Sequence, residues 1–223
     1  MSAEYPRCAR CPYGRKGRCM NAGGKAPPAC PTLAREALRE RAKARYREPE
    51  IGEFARAAAV QEAAGYVGRG GDAGPPRPAK TRLEEIMEFS ERMGYRRLGM
   101  AFCAGLKGEA EATEKIFSRR GFDVVSVVCK AGGVPKEEIG IGDADKIVPG
   151  APESMCNPVL QAMVLNEEGT EFNILLGLCV GHDSLFFRHA DAPCTVLAVK
   201  DRLLGHNPLA AVYNADSYYR YLK

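Results

Sequence analysis

The chain has 223 residues, of which 45% are apolar and 27% charged. That composition suits a globular protein with a sizeable core and excludes collagen, long coiled coil and wholesale disorder. The net charge of +4 is unevenly spread: residues 1–60 hold 13 Lys/Arg against 6 Asp/Glu, and residues 101–223 hold 12 against 16. The basic residues Arg35, Arg39, Lys43 and Arg47 recur as one solvated helix face. Tyr46 alone is interleaved among them, short of the series of aromatics a base-stacking platform requires, which argues against nucleic acid as a partner. No window approaches the ~18 apolar residues of a membrane span. The start, Met1 to Cys8, lacks the apolar stretch of a secretory signal.

In chain order, residues 1–31 form a cysteine-rich unit with four cysteines, five prolines and four glycines. So few large apolar side chains cannot fold the segment alone, and a bound metal is the expected staple. Residues 32–67 read as helical. Thr32 is the expected N-cap of a helix running from Leu33 to Tyr46, Pro49 interrupts it, and a second helix runs from Ile51 to Ala64. Residues 68–79 have the Gly/Pro composition of a linker.

From residue 80 onward, helical and strand patterns alternate. Thr81-Arg82-Leu83-Glu84 is a capping box opening a helix to Met93. Leu98–Phe102 reads as a strand, Glu109–Arg120 as a helix and Asp123–Val128 as a second strand. A helix starts at Asn157-Pro158, with Asn as N-cap and Pro at its first position. Phe172–Leu178 reads as a third strand, followed by a short helix from Asp183. Thr195–Val199 reads as a fourth strand, and Asn207-Pro208 caps a last short helix. Apolar strands alternating with helices predict a three-layer α/β domain on a parallel sheet, Rossmann-like or flavodoxin-like.

The nine cysteines carry the functional argument. Cys8, Cys11, Cys19 and Cys30 have the spacing C-x2-C-x7-C-x10-C. The x2 pair is a chelate, and four thiolates suit Zn²⁺ or an iron–sulfur cluster. Pro12 and Pro31 directly follow cysteines, as a proline does in some cluster-binding runs. A second set is Cys103, Cys129, Cys156 and Cys179. Three of these fall where a predicted strand runs out, and Cys156 precedes a helix N-terminus. In a parallel sheet, functional groups collect at the carboxyl ends of the strands. The four are therefore expected to meet as ligands of a second metal centre.

Around that edge lie His182, Asp183 and His206, expected to move protons or touch substrate. Asn157 and Gly181 stand at helix starts, and Lys107 and Lys130 follow the first two cysteine positions and balance cluster charge. Cys194 starts the fourth strand and reads as structure, and His189 reads as surface. Motifs for dinucleotides, phosphate loops, zinc peptidases and serine hydrolases are missing.

The stretches Phe102-Cys103-Ala104-Gly105-Leu106, Cys129-Lys130-Ala131-Gly132-Gly133, Cys156-Asn157-Pro158, Gly177 to Phe186, Val199-Lys200-Asp201-Arg202 and His206-Asn207-Pro208 resemble the metal-binding family called domain of unknown function 1847. Its members occur largely in anaerobic bacteria and archaea. The resemblance implies metal binding and a cytoplasmic protein and supplies no reaction. An anaerobic setting favours iron–sulfur, of the 4Fe-4S type, at both sites, with zinc the alternative at the N-terminal one.

The leading expectation is a two-centre iron–sulfur redox protein, an oxidoreductase if the edge centre reduces a small-molecule substrate, served by a redox partner protein. The alternative is a zinc-stabilised binding module with no second metal and a small-molecule or protein partner. A third reading makes Cys179 a nucleophile with His182 as its base.

Overall fold

The computed structural model describes residues 5–70 and 74–223. Residues 71–73 of the expected linker, and the first four residues of the expected cysteine-rich unit, lie outside them. The chain divides into two compact units, Met1–Ala63 and Ala64–Lys223.

In the first unit, Cys8–Arg10 and Gly14–Lys16 are single 3-10 turns. Gly17 bridges Lys25 in parallel, with Arg18 N donating to Lys25 O at 2.8 Å and Lys25 N to Lys16 O at 3.2 Å. Gly24 closes this loop so tightly that a Cβ there would lie 2.6 Å from the Lys16 carbonyl oxygen. Among the described residues of 5–31 only Gly17 is buried. This agrees with a segment that has no core to fold on.

Helices α1 (Pro31–Ala34), α2 (Glu36–Arg45) and α3 (Pro49–Ala64) follow. The helix expected from Leu33 to Tyr46 is broken at Arg35, whose φ of −129° and ψ of 45° leave the helical region. Cys30, not Thr32, is the residue before the first helical turn, and Pro31 takes the first position. Pro49 does not merely interrupt: it opens α3, where its missing N–H costs nothing.

The second unit begins with the short antiparallel pair β1 (Tyr66–Val67) and β2 (Arg77–Pro78), so part of the expected linker is a strand. Then come α4 (Arg82–Arg92), β3 (Arg97–Phe102), α5 (Lys107–Arg119), β4 (Asp123–Val128), α6 (Pro158–Glu167), β5 (Phe172–Leu178), α7 (His182–His189), β6 (Cys194–Val199) and α8 (Leu209–Tyr213). The capping box at Thr81 and Glu84 is formed in both directions. Helix α7 starts one residue before Asp183, after Gly181. Pro208, not Asn207, precedes α8.

Strands β3 to β6 form one four-stranded parallel sheet in the order β4-β3-β5-β6. The progression of the chain reverses between β3 and β5, and ligands collect at such a switch point. Alternate residues serve opposite faces. Ala101, Val127 and Leu175 pack with Ala162 and Leu165 of α6 and Phe186 of α7. Met100 and Leu176 pack on the other side with Leu106 and Ala110. All seven residues of β5 are buried. Phe172 at its start contacts Phe89 of α4, with ring centroids 5.4 Å apart.

Strand β5 changes phase at its end. The pairing of β5 with β6 shifts at Leu176–Leu178, and Gly177 has φ of +70°. Strict alternation would put Leu178 on the face of Leu176, yet it packs with Leu175 instead. The bulge thereby re-aims the chain just before Cys179. A side chain at Gly177 would face both a left-handed backbone and Leu106 Cδ1, only 2.0 Å from an added Cβ. Gly177→Ala is expected to cost about 2–4 kcal/mol, measured by urea unfolding. An unchanged midpoint would contradict the bulge's role.

Candidate functional site

The sheet register builds the site. Phe102 pairs with Val128, so β3 and β4 end level, and the next residues are Cys103 and Cys129. Their backbones are fixed: Cys103 N donates to Leu176 O at 3.1 Å and Cys129 N to Phe102 O at 2.8 Å. Each cysteine lies two residues beyond a side chain of the α6 face, Ala101 or Val127, and so shares that face. Gln161 of α6 locks the two strand ends together. Its side-chain amide donates to Phe102 O at 3.2 Å and Val127 O at 2.7 Å, and among the described residues its buried oxygen has no partner.

Cys156 arrives from the long connection between β4 and α6. That connection is latched on itself by the Pro135–Ser154 bridge and the Lys136–Glu153 ion pair at 2.7 Å, both partners half-buried. Lys146, nearly buried, pairs with Glu137 and Asp143. Asn157 then donates its backbone N–H to Cys129 O at 2.7 Å, while its side chain caps Leu160 N at 3.0 Å. The result is that Cys103 and Cys156 pack on the same core cluster as the buried Cys129. Cys179, half-buried, follows the bulged end of β5 at the switch point.

The four thiols share one electrostatic neighbourhood. The Cys129 thiol hydrogen-bonds the Cys156 sulfur, and this contact, with burial second, drives the Cys129 pKa far up. The same bond pulls Cys156 down to about 7, against burial and with help from the Lys130 charge. The pair behaves as one coupled site with its proton on Cys129. Cys103 and Cys179 both act on Cys156 through their charge. The Ala104 backbone N–H donates to Cys129 Sγ at 3.3 Å.

Cations surround these sulfurs. Arg202 Nη2 lies 3.1 Å from Cys179 Sγ. Lys200 Nζ lies 3.8 Å, and Cys103 Sγ 3.9 Å, from the point where a Cβ on Gly105 would stand. The Lys130 ammonium also holds the Ser154 carbonyl. Lys200 and Arg202 received no role from the sequence, although they follow a predicted strand as the cysteines do. Their type gave no signal, because a lysine or arginine after a strand is ordinarily solvated.

The other expected residues divide. His182 is half-buried, and burial first, then the Lys130 charge, lowers its pKa, so it is held neutral near the thiols. Asp183 spends Oδ1 on the backbone N–H groups of Gly181 at 3.0 Å and Ser184 at 2.7 Å. Gly181, with φ of +86°, makes the turn into α7, where the N–H groups of His182 and Asp183 both reach Cys179 O. His206 has φ of +67°, and its Nδ1 accepts from Asp201 N at 3.0 Å. Its ring braces the loop that carries Arg202. Lys107 is exposed at the start of α5, where its charge acts on Glu111. Cys194 stands at the amino end of β6, its pKa raised to about 11 by burial. His189 is exposed on α7.

Cys8 and Cys19 are exposed, and Cys11 and Cys30 half-buried. Hydrogen bonds from the Thr32 side chain and backbone favour the Cys30 thiolate. Among the described residues, no three His, Cys, Asp or Glu side chains are grouped as a single metal ion requires. The edge set nevertheless fits a larger thiolate-held group in its chemistry. The donors are sulfur, a backbone N–H already points at Cys129, Arg202 contacts Cys179 and the Lys130 charge acts on Cys156.

The chain belongs to the family described as Protein of unknown function (DUF1847), whose model matches residues 30–197. That span contains Cys30 and all four edge cysteines. Cys8, Cys11 and Cys19 precede it, and Arg202 and His206 follow it. A similar protein is the Uncharacterized protein MJ0455 of Methanocaldococcus jannaschii, 50% identical over 134 residues, which are 60% of this chain and 67% of that protein.

The state of His182 has a measurable consequence. Its folded pKa is depressed below the ordinary value of about 6.5. Above that value folded and unfolded chains are both neutral at this site. Below it the unfolded chain takes up a proton that the folded chain resists, so stability falls as pH falls. His182→Gln is expected to lose less stability than the wild type between about pH 7.5 and about pH 5.5, read as urea midpoints. Equal losses would contradict a desolvated ring.

Proposed function

We propose that this DUF1847 protein is a metal-binding redox protein, with an iron–sulfur cluster held by Cys103, Cys129, Cys156 and Cys179. One observation carries the reading: four thiols from four separate segments share one charged neighbourhood at the switch point of a parallel sheet. The strand order, counted within the sheet as second-first-third-fourth, supports the finer assignment to a three-layer, flavodoxin-like fold. Cys8, Cys11, Cys19 and Cys30 are proposed as the second centre, zinc or 4Fe-4S, because the described residues of their segment bury no side chain and need a staple.

A bound cluster supplies one-electron chemistry. The chain's own residues do the rest. Asn157, through its bond to Cys129 O, keeps Cys156 against Cys129. Lys130 and Arg202 offset thiolate charge. Neutral His182 supplies an imidazole able to accept a proton and hand it on to a small substrate at the edge, and Asp183 and Gly181 fix the turn that presents it. A redox partner protein and a cytoplasmic setting complete the proposal. Among the described residues no helix is long and apolar enough to cross a membrane.

A second reading has one observation in its favour. The Cys156 thiol, brought to about 7, is partly thiolate at neutral pH and would be a nucleophile in a metal-free chain. The variants Cys129→Ser and Cys179→Ser, purified without oxygen, separate the readings. Each is expected to lose about one cluster's iron and sulfide relative to the wild type, with the N-terminal centre unaffected. Unchanged iron would refute the edge centre. Iron-free wild type with one rapidly alkylated cysteine would select the thiol reading, and a colourless chain with a single zinc the binding module.

A further inference from the structure

The guanidinium of Arg202, like the Lys200 ammonium, is a cation at the edge that no expectation covered. Its Nη2 donates to Cys179 Sγ at 3.1 Å. Among the described residues no carboxylate pairs with it, and the side-chain contact it makes is to sulfur.

The loop holds it there. Lys200 N donates to Leu178 O at 3.1 Å, anchoring the loop to the end of β5. Asp201 Oδ1 accepts from Leu203 N at 3.0 Å and Leu204 N at 2.8 Å. His206 closes the turn from both sides: its Nδ1 accepts from Asp201 N and its N–H donates to Asp201 O at 2.9 Å. His206 pays for this with a left-handed backbone that few side chains adopt. Four hydrogen bonds among residues 201–206, and a fifth to the end of β5, fix the backbone on both sides of one exposed arginine. A solvated surface arginine needs no such frame.

We propose that Arg202 is a positioning residue of the edge centre that hydrogen-bonds its Cys179 ligand and favours the reduced state. The assignment rests on the iron–sulfur reading. One electron from an external reductant, itself oxidised, would reduce an iron of the thiolate-held group and make that group one unit more negative, with no bond formed or broken. The Arg202 charge offsets the added negative charge. Water screens an exposed guanidinium, so the effect is a modest shift of potential and not a switch.

The test compares wild type, Arg202→Gln and Arg202→Lys, each purified without oxygen, by iron and sulfide analysis and by redox titration with dithionite. Arg202→Gln removes the charge and keeps an amide donor, while Arg202→Lys keeps the charge and loses the planar fork. The expected result is iron retained in both variants, the midpoint potential shifted negative in Arg202→Gln, and a smaller shift in Arg202→Lys. Loss of iron from Arg202→Gln alone also supports the charge role. Equal midpoints in wild type and Arg202→Gln at equal iron overturn the assignment of Arg202 and leave the iron–sulfur reading standing, as does loss of iron from both variants. Wild type without iron or sulfide overturns the iron–sulfur reading and this assignment with it.

Discussion

The parallel register of β3 and β4 is the constraint on which the site depends. Because Phe102 pairs with Val128, both strands run out at the same level, and each is followed at once by a cysteine. Because side chains alternate, both cysteines turn to the face covered by α6. Gln161 then ties the strand ends with a single amide. A one-residue slip in this register would send one thiol to the opposite face and separate the pair. The core contributes in the same direction: Leu98, Met100 and Ala101 of β3 are fully buried, so β3 has no freedom to slide.

Two further devices bring in the remaining cysteines. The bulge at Gly177 alters the phase of β5 before Cys179, and the latched connection after β4 returns Cys156 to the Cys129 carbonyl. Both are local departures from regular structure beside the site, where such departures commonly accumulate. Their joint product is an electrostatic coupling that no single cysteine has. One proton sits on Cys129, Cys156 leans toward thiolate, and cationic side chains stand around them.

Much of this was legible in the sequence because it follows from period and punctuation. The apolar runs at 98–102, 123–128, 172–178 and 195–199 are all strands, and all belong to one parallel sheet. That Cys103, Cys129 and Cys179 stand at strand ends could be read directly. What was not legible depends on backbone angles and on groups distant in sequence. The break at Arg35 lies in a run of good helix formers, where propensity gives no warning. Pro49 has two opposite meanings, breaker or first residue, and only the chain before it decides. His206 reads as a proton carrier by type, and the bond of its Nδ1 to a backbone N–H five residues away depends on a left-handed backbone that type does not announce. Arg202 is a common residue in an ordinary place until Cys179 is found 3.1 Å from it.

The central claim is that the four edge thiols hold one iron–sulfur centre. The most direct measurement is the iron and acid-labile sulfide content, with the absorption spectrum, of the unaltered chain purified without oxygen. The account predicts a brown protein with iron and sulfide in equal amounts, enough for a cluster at the edge, that bleaches on reduction. A colourless protein containing zinc alone, or no metal, would contradict it.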